Sequence, residues 1–417
     1  MNEKPICICI LGGGFGGLYT ALRLSQFDWQ PLRTPQIVLV DRNDRFLFAP
    51  LLYELMTGEL NAWEIAPPYV ELLANTDIRF LQGKVSDIDL PAQTVQLKDG
   101  QVLPYDCLVL ALGGEPRLDL VPGAAEHAFP FQTIEDAYRL EVALRELEAS
   151  DAEKIRIAIA GAGYSGVELA CKLADRLKDR ARLRLIERND CILKSSSEFN
   201  REAASKALSD RGIWIDLETQ IERIAANEIS LLYKEQVDTI PVDLTIWTAG
   251  IQVNETVRSL PLSRNPQNRL AVTSELQTVD RPEVFALGDL ADCCDANGQQ
   301  VPSTAQAAFQ QADYVAWNLW ASQTGRPLLS FRYQNLGEML TLGIDNATLT
   351  GMGIKLNGPF AHTLRRLAYL YRMPTLDHQL KVGLNWIAQP LLDFLTPNAL
   401  LSLWGENKRD RREKALL

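Results

Sequence analysis

Histidine is scarce in this 417-residue chain: only His127, His362 and His378 occur, far apart in sequence. No metal-ligand spacing can be read from them, and no metal is expected. A cysteine redox pair is lacking too. The seven cysteines (Cys7, Cys9, Cys107, Cys171, Cys191, Cys293 and Cys294) form an odd set without CxxC spacing, and several lie in apolar runs where a thiol simply packs, which suits a reducing compartment. There is no basic excess. Lys and Arg total 42 against 53 Asp and Glu, a net charge of −11, so a concentrated basic face for nucleic acid is not expected. Long uninterrupted apolar runs are also missing. The nearest approach, Pro5 to Leu22, has five glycines in its middle and no basic stretch followed by a small-residue cleavage site, so it is neither a good lipid span nor a signal peptide. The chain is expected to be soluble or held on one membrane face.

What is present is a repeated grammar. An apolar run, Ile6 to Leu11, leads into a glycine-rich turn, a helical pattern from Leu18 to Ser25 and a second strand, Gln36 to Val40. The same order returns as Ile155 to Ala160, a second glycine-rich turn, a helical stretch Ser165 to Leu177 and a strand Leu183 to Ile186. The two units lie 149 residues apart, Gly12 to Gly161, and duplication of a nucleotide-binding module is the simplest account. Each closes on an apolar strand ending in glycine, Cys107 to Gly114 and Leu244 to Gly250, which would carry the chain closely past a bound cofactor. From about Gln334 onward the βαβ grammar stops, and Leu, Trp and Tyr mix with Arg and Lys.

The turns carry the chemistry. Gly12-Gly-Gly-Phe-Gly-Gly17 fits GxGxxG between strand and helix: Gly12 for the tight turn, Gly14 for close approach of a pyrophosphate, Gly17 for helix–strand packing. The helix N-terminus then stabilises phosphate charge. Asp41, 24 residues after Gly17, ends the second strand where a carboxylate can accept from a ribose diol. Gly161, Gly163 and Gly166 repeat the arrangement, with Glu187 21 residues on. A carboxylate there favours the free 2′-hydroxyl of NAD(H) over a 2′-phosphate, although Arg188 beside it blurs the choice. Each feature has a plainer alternative: a ligand-free glycine turn, or a solvated charge at a strand end. Two fingerprints in one chain imply two dinucleotides, held so that electrons pass between them.

Further along, Phe285-Ala-Leu-Gly-Asp289 offers an Asp that either meets the ribitol of FAD or caps the next helix. Beside the flavin, where related dithiol enzymes carry cysteines, this chain has Arg45-Phe-Leu-Phe-Ala-Pro-Leu-Leu52, and nothing after Cys294 supplies a thiol; electrons are expected to leave the flavin directly. Gln306 and Gln310, in Ala305–Gln311, share a helix face and could donate to a quinone carbonyl, or could merely be solvated. Leu384 to Trp404 is apolar with Trp386 and Trp404 near its ends, and Lys408, Arg409, Arg411, Arg412 and Lys414 follow. Such a segment suits an anionic membrane surface; its alternative uses are a homodimer interface or a cap over the core. Its two prolines are expected to break it into helices too short to span.

With these motifs assembled, the sequence resembles the type II NAD(P)H:quinone oxidoreductases. The resemblance runs through Gly12–Gly17, Phe46–Gly58, Gly161–Glu168, Phe285–Asp289 and Ala305–Gln310. More narrowly it is similar to the cyanobacterial and chloroplast branch that acts on demethylphylloquinone, through Trp63–Pro67, Phe331–Gly343 and Leu380–Trp386. The resemblance implies an α/β fold with two Rossmann-type dinucleotide-binding domains and a C-terminal membrane-docking segment. Residues 1–117 and 253–333 would form the FAD domain, 118–252 the NAD(P)H domain and 334–417 the membrane-associating region. It implies FAD held by Gly12, Gly14, Phe15, Gly16, Gly17, Asp41, Asp289, Ala305 and Gln306, and NAD(P)H held by Gly161, Gly163, Gly166, Glu187 and Gly250. Glu168 would lie near the nicotinamide–flavin contact, and Gln306 and Gln310 would border a quinone pocket. The expected setting is peripheral, on the cytoplasmic face of a thylakoid or plasma membrane. Rival functions are plastoquinone reduction in respiratory electron transfer, a soluble reductase for ferredoxin or rubredoxin, and a redox sensor of negligible turnover.

Overall fold

In the computed structural model, residues 5–30, 32 and 34–395 are described, and they fall into two compact units. One comprises the chain up to Leu47, Pro67–Glu115 and Ile251–Gln334; the other comprises Phe48–Ala66, Pro116–Gly250 and the chain from Asn335.

The first unit is built on a six-stranded sheet in the order Gln277–Thr278, Arg281–Ala286, Cys107–Leu110, Cys7–Leu11, Gln36–Asp41, Arg79–Gln82. All neighbours are parallel except the first pair. The central strand is apolar throughout because both its faces are covered. Cys9 and Leu11 join Val40, Leu108 and Val284 in a core shared with the antiparallel strands Val85–Asp89, Thr94–Leu97 and Val102–Pro104. Ile10 lies under Gly17 of the helix Phe15–Leu24. That helix packs on Ala305–Thr324 through an edge contact between Tyr19 and Phe309 and an Arg23–Asp313 ion pair of 2.7 Å. Sequential strands lie on opposite sides of Cys7–Leu11, so its carboxyl end is the switch point where such sheets take ligands.

The second unit carries a five-stranded parallel sheet, Trp214–Asp216, Ala181–Ile186, Ile155–Ala160, Leu244–Trp247, Ala128–Pro130. Helices Ile134–Ala149, Tyr164–Leu177 and Glu198–Asp210 accompany it. Ala158, Ala160, Ile186 and Trp247 pack with Ile229 and Leu231 of the antiparallel sheet Gln220–Ala225, Glu228–Tyr233, Gln236–Pro241. Beyond Asn335 come three antiparallel strands, Glu338–Thr341, Ala347–Gly351 and Ile354–Gly358, then helices Pro359–Tyr371 and Leu376–Leu395.

Two features differ from expectation. Residues 48–66 belong to the second unit rather than to the flavin domain, because their side chains are tied to its C-terminal helices: Arg365 donates to Glu54, Phe48 meets Tyr369 edge-on, and Trp386 donates to Glu64. And Pro390 does not end its helix, which runs unbroken from Leu376 to Leu395; a proline removes one N–H but need not stop the turns on either side. The stretch from Asn398 through Trp404 to the basic residues Lys408–Lys414, and Pro397 before it, lie outside the described residues.

Candidate cofactor sites

The two glycine turns are built alike. Gly12 and Gly161 adopt φ of +99° and +98°, a left-handed conformation open to glycine. A Cβ on Gly17 would sit 1.8 Å from the Gly12 carbonyl oxygen, and one on Gly166 equally close to that of Gly161, so each helix lies against its own turn with no room for a methyl group. At Gly14 and Gly163 the opposite holds: a Cβ would meet nothing within 4 Å. These two glycines are also the helix N-caps, and neither offers a side chain to the first-turn N–H groups. Open space in front of unshielded helix N–H groups is what a pyrophosphate requires.

The acids at the strand ends reach back to the turns. Asp41 accepts from the Gly13 N–H at 2.6 Å and the Asn43 N–H at 2.8 Å. Glu187, buried, accepts from the Ala162 N–H at 2.8 Å and from the Asn189 N–H at 2.9 Å. Both carboxylates thus brace the loop that would hold a nucleotide. Gly250, at φ +72°, follows the strand beside Gly161, and its carbonyl accepts from the Arg117 N–H. In the first unit Phe15 packs edge-on against Phe46, while a Cβ on Gly16 would press on Leu287 at 3.0 Å.

Asp289 lies in the short 3-10 turn Gly288–Leu290 and does not cap the following helix, whose N-cap is Thr304. Its carboxylate has no hydrogen-bond partner among the described residues, and burial pushes its pKa up against the pull of Arg269. Gln311 fixes this turn by accepting the Gly288 N–H at 2.8 Å. The sequence pattern pointed to its neighbour Gln310; Gln311 itself is buried.

Residues 7–312 match the pyridine nucleotide-disulphide oxidoreductase family. The chain belongs to that family. It is 56% identical over 399 residues to demethylphylloquinone reductase NdbB of Synechocystis sp., covering 95% of this chain and 99% of that protein. It is 43% identical over 429 residues to the alternative NAD(P)H-ubiquinone oxidoreductase C1, chloroplastic/mitochondrial, of Arabidopsis thaliana, covering 94% and 82%. Its fold resembles the structure of NDH2 from Plasmodium falciparum in complex with NADH, with a TM-score of 0.81 at 16% identity over 92% of this chain and 98% of that one.

As a member of the pyridine nucleotide-disulphide oxidoreductases the chain uses FAD and NAD(P)H, and the two turns fit two dinucleotides. Four of its seven thiols, Cys9, Cys107, Cys171 and Cys293, are buried. Cys107, Cys171 and Cys293 are buried, and desolvation pushes each up to about 12, so they are weak nucleophiles at neutral pH.

The remaining site residues of this oxidoreductase fall in different surroundings. Gln310 is engaged by backbone: its amide donates to the Gln334 carbonyl at 2.9 Å and accepts the Gln334 N–H at 3.0 Å. Gln306 accepts from the Tyr333 hydroxyl at 2.9 Å, and Ala305 opens the helix. The glutamine pair therefore clips the 333–334 segment onto the helix, a role the spacing alone does not disclose.

Glu168 is buried in the second unit, where its Oε1 accepts the Thr341 N–H at 2.9 Å and lies 3.8 Å from Arg365 Nη2. Arg365 is closer to Glu54, at 2.5 Å, and its guanidinium stacks 4.9 Å from the Tyr369 ring. Arg365 thus faces two buried acids. Burial pushes Glu54 up, but Arg365 and Lys172 outweigh it and hold it low. Glu168 is left further from the charge, and burial pushes it up to about 7, opposed by Arg365 and the Thr341 N–H. Glu54 lies in the Phe46–Gly58 stretch and Arg365 far from it in sequence, and only the fold brings the two to Glu168.

Proposed function

We propose that this protein is a peripheral-membrane NAD(P)H:quinone oxidoreductase whose substrate is demethylphylloquinone. The observation that carries the reading is the pair of complete nucleotide turns in a chain that follows the Synechocystis reductase over nearly its whole length. FAD held there would supply hydride acceptance from NAD(P)H and two-electron delivery to a quinone, an overall reaction that consumes one further proton.

The protein's part is position and charge. The Gly12–Gly17 turn, Asp41 and the free Asp289 carboxylate hold the flavin dinucleotide, and the Gly161–Gly166 turn, Glu187 and Gly250 hold the nicotinamide. Glu168, titrating near neutrality, is a group whose protonation changes at working pH. The Gln306–Gln310 face orders the 333–334 segment that would border the quinone.

Docking to the membrane rests on the C-terminal helices. Leu376, Leu380, Leu384 and Ile387 are exposed at i, i+4, i+8 and i+11, one apolar stripe, and Phe360, Leu367 and Tyr371 are exposed on the neighbouring helix. The other face of the second helix is pinned inward by His378, Asn385 and Trp386, all bound to Glu64. The Trp386 indole thus has a partner within its own unit. Among the described residues no helix is long and apolar enough to cross a membrane.

The test is steady-state turnover of the FAD-loaded enzyme with NADH and NADPH against a demethylnaphthoquinone, a plastoquinone analogue and ferredoxin. The demethylnaphthoquinone should give the highest kcat/KM. Preference for the plastoquinone analogue would make it a respiratory dehydrogenase, and preference for ferredoxin would end the quinone assignment.

A further inference from the structure

We propose that Glu59, Asp345 and His362 of the second unit form a binding site for one divalent ion of the zinc class. Among the described residues these three each bring a ligand atom within 4.8 Å of the others. They come from separate parts of the chain: Glu59 follows the short helix Glu54–Thr57, Asp345 sits in the turn between two C-terminal strands, and His362 lies in the first turn of Pro359–Tyr371. A separation of 303 residues between Glu59 and His362 hides the set in the sequence.

Unmet bonding capacity points to a ligand. His362 is 4% exposed, and neither ring nitrogen has a hydrogen-bond partner among the described residues. A buried imidazole with both nitrogens unsatisfied is rare in folded proteins and destabilising. Asp345 Oδ1 stands 3.8 Å from its Nε2, too far for a hydrogen bond. Glu59 Oε1 is also buried and unpartnered. Its other oxygen is not: Oε2 takes the Lys172 ammonium and the Thr57 hydroxyl. Two donors on one carboxylate oxygen fix the group and aim the other, as outer hydrogen bonds do for metal-ligating carboxylates. The Lys172 charge is thereby paired with Glu59 and does not cancel Asp345.

The donor set names the ion. One imidazole and two carboxylates make a mixed nitrogen–oxygen site, which suits zinc and its neighbours, whereas calcium and magnesium favour oxygen alone. Three protein ligands with water completing the shell is a common zinc arrangement. The required metal–ligand distances of about 2 Å ask for a small inward movement, and the Asp345 side chain, 78% exposed, is free to make it. Bound metal would tie residues 48–66 to the C-terminal strands and helix.

The experiment uses the full-length FAD-loaded enzyme after chelator treatment, titrated with ZnCl2 by calorimetry and followed by thermal unfolding. One Zn2+ per chain should bind and raise the Tm by a few degrees. His362→Gln and Asp345→Asn should each weaken binding at least ~10-fold while FAD stays bound. Asp345 is exposed, so its variant folds whether or not the buried histidine tolerates change. Equal zinc affinity in wild type and Asp345→Asn, or calcium and magnesium binding as tightly as zinc, would overturn the proposal.

Discussion

At the same step of the same helix, the two units place opposite chemistry. Counting from Gly12 and Gly161, Tyr19 corresponds to Glu168 and Arg23 to Lys172. Tyr19 packs among Phe15, Phe46 and Phe309, and Arg23 pairs with Asp313 at the surface. Glu168 faces Arg365, and Lys172 is buried against Glu59. A shared frame thus fixes where a nucleotide lies, while the next turn of helix is free to be an aromatic wall in one unit and a charged cluster in the other. The comparison teaches that turn geometry and site chemistry are separable. What differs is what packs on the helix: Ala305–Thr324 in the first unit, and the short helix Glu54–Thr57 with the strand Glu338–Thr341 in the second.

The sharpest way to break the parallel is at the second residue of each turn. Gly13 and Ala162 correspond, and both carbonyls are satisfied, but by different donors: the Tyr69 hydroxyl at 2.8 Å for Gly13, the Leu193 N–H at 2.8 Å for Ala162. A Cβ on Gly13 would fall 2.1 Å from the Tyr69 hydroxyl oxygen. Gly13→Ala must displace a buried ring and unmake its hydrogen bond, a combined strain of several kcal/mol, on the order of 3. Purified Gly13→Ala should carry at least ~10-fold less FAD per chain, read from the flavin-to-protein absorbance ratio. Ala162→Gly should change stability by only about 0.5–1 kcal/mol and leave flavin content alone. Normal FAD loading in Gly13→Ala would show that Tyr69 yields easily and that the turns are more alike than they look.

A second test uses the charged cluster. Glu168 has its folded pKa raised from 4.5 to about 7, so its burial is tolerated while it is protonated and penalised once it ionises. Relative to Glu168→Gln, which never ionises, the wild type should be at no disadvantage below pH 4.5. It should lose stability as pH rises from 4.5 to about 7, where the unfolded chain's glutamate ionises and the buried one stays protonated, by about 3 kcal/mol in all, with no further loss above that. Urea unfolding of both proteins at pH 5 and pH 8 measures this. A difference that does not change with pH would mean that Arg365 holds Glu168 ionised throughout. No counterpart is expected at Tyr19, where Tyr19→Phe should show no such pH dependence.

Much of this frame was legible in the sequence because it rests on local rules. A left-handed turn demands glycine at 12 and 161, close packing demands it at 17 and 166, and the strands between are apolar because both faces are covered. The cluster around Glu168 was not legible, because Arg365 and Glu54 are 311 residues apart and neither lies in a periodic or glycine-marked context. The glutamines of the long helix were half legible. Their shared face is a matter of helical period, but that Gln310 serves the Gln334 backbone depends on where a loop returns. Trp386 shows the same limit: its apolar neighbourhood suggests lipid, and only the fold reveals that Glu64 holds its indole.

The smallest expected effect sharpens the parallel between the two strand-end acids. Asp41 and Glu187 both brace their turns through a backbone N–H, and each is proposed to meet a ribose as well. What distinguishes them is the neighbour: Arg188 is exposed beside Glu187. In the wild type the carboxylate repels a 2′-phosphate while Arg188 attracts one, so discrimination is blunted. Glu187→Ser removes the repulsion, frees the Ala162 N–H and leaves Arg188 in place. The ratio of kcat/KM for NADPH to that for NADH should then rise roughly tenfold, about 1.4 kcal/mol of differential binding. Loss of bracing alone would weaken both coenzymes equally and leave the ratio unchanged, so the ratio reports recognition and the absolute values report structure. Glu187→Gln, which keeps the shape and drops the charge, should shift the ratio in the same direction. Adding Arg188→Ala to Glu187→Ser should take most of the gain away. If neither single variant moves the ratio while both retain FAD, Glu187 holds its loop and nothing more, and coenzyme choice must be sought in the residues that follow Arg188.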